Sequence, residues 1–139
     1  MSEPGSDEPG GSQRGEDEFA ELATRLFAMA RSGDSAGLDT YVTAGVPVNL
    51  ANDKGDTLLM LAAYHGQVAV VRVLVARGAD VDKANDRGQS PLAGAVFKGE
   101  DDVVAALVAA GADATGGQPS AVDTARMFGR ADYVSMFGG

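Results

Sequence analysis

The 139-residue sequence predicts an all-α solenoid of about four stacked helix–turn–helix units. Three observations carry that expectation. Residues 52–84 and 85–117 are identical at 14 of 33 positions, and a fixed period of about 20–50 residues marks an array of units that cannot bury their apolar faces alone. Within each copy, apolar residues recur at helical spacing between capping residues and glycines. The composition, 45% hydrophobic and 22% charged, is that of one ordinary domain.

Residues 1–18 read MSEPGSDEPGGSQRGEDE and carry six acids against Arg14, with no aliphatic or aromatic residue after Met1. Such a stretch buries too little surface to offset its ordering entropy, so residues 1–16 are expected to be a disordered acidic tail. It serves either as a solubilising segment or as an arm for a partner. The first unit, about 17–51, is a weaker copy in which Thr24, Leu26, Gly33 and Leu38 fall under Thr57, Leu59, Gly66 and Val71. Phe19, Leu22, Leu26 and Phe27 stand at helical spacing and are expected to cover the apolar edge of the stack.

In the second unit, 52–84, Thr57 caps a first helix running to about His65, with Leu59, Leu61 and Ala62 on its core side. Gly66 stops it by permitting left-handed backbone. Val70, Val71, Leu74 and Val75 then form the core stripe of a second helix that ends at Gly78. The third unit, 85–117, repeats the plan with Ser90-Pro91 as cap and first helical residue, and Gly99 and Gly111 as stops. The fourth, 118–139, is truncated: Ser120 and Ala125 keep their places, then Gly129, Tyr133 and Phe137. Between units, runs such as Asn85-Asp86-Arg87-Gly88 hold the turn chemistry of a projecting β-hairpin loop.

Gly55-Asp56-Thr57-Leu58-Leu59-Met60-Leu61-Ala62-Ala63-Tyr64-His65-Gly66-Gln67 resembles the ankyrin-repeat signature, G-x-T-P-L-H-x-A-A-x-x-G-H. Residues 70–82 resemble its second half, V-V-x-x-L-L-x-x-G-A-D-x-N. The likeness covers roughly 19–137, strongly in the middle two units. Leu58 stands where the family has proline, Met60 and Ala93 where it has histidine, and Gly94 where it has an apolar residue inside the helix. The whole is most similar to small stand-alone bacterial ankyrin proteins. The resemblance implies a curved α-solenoid that holds another protein by its concave face and its loop tips.

Carried onto this chain, the resemblance implies loop-tip contacts by Asp53, Lys54 and Asp56, and by Asp86, Arg87 and Gln89 one unit later. At the ends of the first helices it implies Arg31, Tyr64, His65, Phe97, Lys98, Met127 and Phe128 as partner-binding residues. Tyr64, Phe97 and one of Met127 and Phe128 would recur once per unit as an aromatic and methionine stripe edged by charge, the make-up of an interface hot spot. The alternative is that the phenylalanines fold under the loops as packing. Lys54, Arg87 and Lys98 form a small positive set suited to an acidic partner segment or to the chain's own acidic tail.

The net charge of −9 disfavours nucleic acid in the absence of a basic patch. The longest apolar run, residues 103–110, is far short of the roughly 20 residues that span a bilayer. No cysteine is present and His65 is the single histidine, which leaves little material for a metal site or for imidazole catalysis. Glu100-Asp101-Asp102 reads as a helix start whose acids favour the positive end of the helix dipole, not as a cation site. Taken together, the expectation is a monomeric, cytoplasmic, non-enzymatic module that binds a protein, with no cofactor, metal, nucleic acid or membrane partner. The alternative is a permanent structural or inhibitory subunit of a larger complex.

Overall fold

A computed structural model describes the backbone of residues 4–138 and the side chains of residues 15–138. Eight helices follow one another in pairs among the described residues: α1 (Pro4–Ser32) and α2 (Ser35–Thr43), α3 (Leu58–Tyr64) and α4 (Val68–Ala76), α5 (Pro91–Lys98) and α6 (Asp101–Ala109), α7 (Ala121–Met127) and α8 (Ala131–Met136). The first helices stack in one row, α1 on α3 on α5 on α7, and α2, α4 and α6 stack in a second row behind them. One continuous apolar core runs between the rows from Leu26 through Leu59, Leu74, Leu92 and Leu107 to Tyr133.

Local chemistry sets the ends of the helices. Thr57, Ser90 and Ser120 each hold extended backbone and accept a side-chain hydrogen bond from the third residue onward, at 3.0–3.1 Å, which satisfies an N–H the helix itself leaves open. Gly66 and Gly99 follow with φ of 73° and 70°, a region that side chains other than glycine rarely enter. The core-facing Val70, Val71 and Leu74 of α4, and Val103, Val104 and Leu107 of α6, are almost wholly buried.

Two features differ from the sequence reading. Among the described residues no strand forms between the units; the expected β-hairpin loops hold only isolated bridges, Ala51 with Thr57 and Gly117 with Ser120. The reason lies in Asn52 and Asn85, whose side-chain oxygens take the amides of Lys54 and Asp56, and of Arg87 and Gln89, at 2.9–3.0 Å. A side chain that bonds its own turn leaves those amides with nothing to give a ladder. The loops stack on one another instead, through Asp86 N–H to the Lys54 carbonyl and Gln118 N–H to that of Gly88.

In α1 the backbone is helical from Pro4 to Ser32, and residues 15–20 are exposed throughout. Residues 1–3 lie outside those described. The second difference is Phe19, 53% exposed, where the spacing expects it on the covered edge with Leu26 and Phe27. In the 33-residue register, Arg25 lies beside Leu58, the first residue of α3. Phe19 therefore stands about 9 Å beyond the start of its neighbour.

Candidate partner-binding surface

The row α3, α5, α7 presents its C-terminal ends on one side of the stack, and each end carries an aromatic ring. Tyr64 is half-buried, while Phe97 and Phe128 are each 51% exposed. Their rings form a ladder: Tyr64 stacks on Phe97 with centroids 6.4 Å apart and planes 11° from parallel, and Phe97 meets Phe128 edge-on at 5.5 Å. Pairs of this kind contribute about 0.5–1.5 kcal/mol beyond the area they bury. The phenylalanines thus support one another without going under the loops. Met127, 65% exposed, stands beside them.

Beside the ladder runs an open groove of about 400 Å³ between the first-helix row and the loops. Among the residues expected at the surface, Asp56, Tyr64, Arg87, Gln89 and Phe97 line it together. A second hollow of about 210 Å³ adjoins it, sharing Gln89 and Phe97 and adding Met127. Lys98 reaches back over the Tyr64 ring, its Nζ 5.0 Å from the centroid, an attraction between ammonium and ring face. Asp53, Lys54 and Asp86 are exposed at the loops but line neither hollow. His65 caps α3, exposed and edge-on to Tyr64 at 5.6 Å. Arg31 is exposed at the end of α1, where its carbonyl accepts Gln67 Nε2 at 2.7 Å.

Four lining residues escaped the sequence reading: Met60, Leu61, Gln118 and Pro119. Met60 carried a signal, since it departs from the family's histidine. So did Gly94, which is buried in α5 and carries no side chain: a Cβ there would stand 2.7 Å from Met60 Cε. The missing side chain leaves the room in which Met60 lies.

The acidic run 100–102 plays a structural part away from the ladder. Asp101 accepts from the Tyr133 hydroxyl and from Arg130 Nη2 at 3.1 Å, tying the fourth unit to the third. Those two bonds, Tyr133 first, hold the Asp101 carboxyl below its usual range. Burial, and next the bond to Asp101, push the Tyr133 phenol up to about 12. Arg130 also covers the Tyr133 ring at 3.9 Å. Among the described residues no group of three or more His, Asp or Glu is placed to hold a metal, and no helix is long and apolar enough to cross a membrane.

Residues 26–116 match the family model for ankyrin repeats, in three copies. A protein of Pseudomonas aeruginosa described as an ankyrin repeat protein is 49% identical over 55 residues, covering 40% of this chain. The matched stretch spans about a third of that relative's length, 32%. With the caps, glycine stops and paired rows already described, these matches place the fold: the chain belongs to the ankyrin-repeat family, whose repeats serve in general as protein–protein interaction modules.

Proposed function

We propose that this chain is a non-enzymatic module that captures a protein partner on the aromatic ladder and its groove, with the loop residues Asp53, Lys54, Asp56, Asp86, Arg87 and Gln89 at one edge. One observation carries the reading. Phe97 and Phe128 are half exposed, with Phe97 stacked on Tyr64 and edge-on to Phe128, so large rigid rings are held open to solvent side by side. Rigid aromatics beside a hollow give an interface much contact area for little lost side-chain freedom. The module works in the cytoplasm as a monomer until it meets its partner.

A photo-crosslinking amino acid placed at Phe97, and separately at the exposed Ala105 of α6 in the second row, tests this in living cells. A discrete crosslinked protein is expected through position 97 and none through 105. It should disappear when Tyr64→Ala is added. Equal labelling at both positions, or none at 97, refutes the proposal. Tyr64→Ala also removes some packing, since the ring is half-buried, so a loss of about 1–2 kcal/mol is expected without loss of helical circular dichroism.

A further inference from the structure

The Phe97 ring lies between the two hollows, lining both together with Gln89 and Pro119. On one side lie Met60, Leu61 and Tyr64; on the other lie Ala93, Thr124 and Met127. The ladder steps 6.4 Å and then 5.5 Å along the row. Alternate side chains of an extended chain stand on one face about 6.6 Å apart. Residues i and i+2 of such a segment therefore fall one on each side of the ring. The wall opposite the helices offers Gln89 and Gln118. Both amides carry donors, and Gln118 an acceptor beside them (Gln89 Oε1 already takes Asn85 Nδ2 at 3.5 Å), which suits a guest whose own N–H and C=O groups are unpaired, as an extended chain's are and a helix's are not.

Charge narrows the guest further. The ion pairs among the described residues are Arg77 with Asp39, Arg126 with Asp123, and Arg130 with Asp101 and Asp132; Arg87 and Lys98 enter none of them. Two acids close by, Asp56 in the groove lining and Asp86 exposed on the loop, have contacts of their own within the protein. Asp56 accepts Asn85 Nδ2 at 2.8 Å, and Asp86 Oδ1 lies against Gly55, 2.5 Å from where a Cβ on that residue would stand. In a chain of net charge −9, Arg87 in the groove lining and Lys98 over the Tyr64 ring stand outside those ion pairs, and both favour a carboxylate from outside.

We infer that the groove holds an extended, acidic segment of the partner: two apolar side chains two positions apart straddle Phe97, and an adjoining carboxylate pairs with Arg87 and Lys98. The inference rests on the binding-module reading and names the kind of segment that module takes.

Three labelled peptides test it by fluorescence anisotropy with the full chain. The first has two leucines two positions apart followed by two aspartates; the second has lysines in place of the aspartates; the third has its leucines adjacent. The first peptide is expected to bind, and the other two at least about tenfold more weakly. Arg87→Ala with Lys98→Ala, both at exposed positions, should cost the first peptide about tenfold, as should raised salt. Equal affinity for aspartate and lysine peptides, equal affinity for both spacings, or no binding by any peptide overturns the inference. A Phe97 crosslink that persists beside such a result leaves the module reading standing, whereas loss of the crosslink as well removes both.

Discussion

Replacing Gly94 by alanine tests the packing that shapes the groove. Glycine inside a helix is about 1 kcal/mol less favourable than alanine, so α5 gains that much from the change. Against the gain stands one clash. The new Cβ would meet Met60 Cε at 2.7 Å, while Met60 Sδ and Tyr64 Cδ1 at 3.6 Å are ordinary contacts. The clashing atom is the far end of an unbranched, three-torsion side chain, so it moves aside at a cost on the order of 0.5 kcal/mol. The net expectation is a stabilisation of about 0.5 kcal/mol. With a urea slope of about 1–3 kcal/mol per molar, that raises the denaturation midpoint by roughly 0.2–0.5 M. Met60 lines the larger hollow, and a methyl group displaced into it should make the aspartate peptide bind several-fold more weakly to the stabilised protein. Circular dichroism in urea and the anisotropy assay read the two effects separately. A loss of about 1–3 kcal/mol would mean that the core is overpacked and Met60 cannot yield, which refutes the reasoning. Greater stability with unchanged affinity would show that Met60 does not shape the groove.

Three further predictions concern a helix end and the paired ionisable groups. Glu100 Oε1 lies at the end of α3, 2.5 Å from where a Cβ on Gly66 would stand, whereas one unit earlier Gln67 Nε2 donates to the Arg31 carbonyl from the matching place. Glu100→Gln should supply the missing donor beside the negative end of α3 and raise stability by about 0.5–1 kcal/mol at neutral pH; an unchanged melting temperature counts against that contact. The carboxyls of Asp39 (beside Arg77), Asp101 (beside Tyr133 and Arg130), Asp113 (beside Thr115) and Asp132 (beside Arg130) are all held below their usual value of 3.8. Their contribution is complete above that value and is lost as pH falls through the depressed values, which denaturation midpoints at successive acid pH will show. Tyr133 acts at the other end: the folded chain keeps to about 12 a proton that the unfolded chain releases near 10, so stability declines as pH climbs between the two. Tyr133→Phe should flatten that alkaline decline, and a decline that persists unaltered assigns it elsewhere.

What the chain by itself determined is whatever a residue decides within a few neighbours. Thr57, Ser90 and Ser120 cap because their oxygens reach an amide three residues on, and Gly66 and Gly99 stop helices because only glycine enters that backbone region cheaply. The 33-residue period then repeats those decisions, and the apolar stripes of α4 and α6 follow from spacing alone. Tertiary structure decided the rest. Phe19 matches the helical stripe as well as Leu26 does, yet its neighbour α3 begins too late to cover it. The Asn52 and Asn85 side chains spend the amides a hairpin needs, a competition visible only once the loops are seen stacking on each other. The groove unites Met60 of one unit, Phe97 of the next and Pro119 of the one after. No local pattern records such a meeting, because its distances come from how closely the helices approach. Gly94, by carrying no side chain, sets part of that closeness.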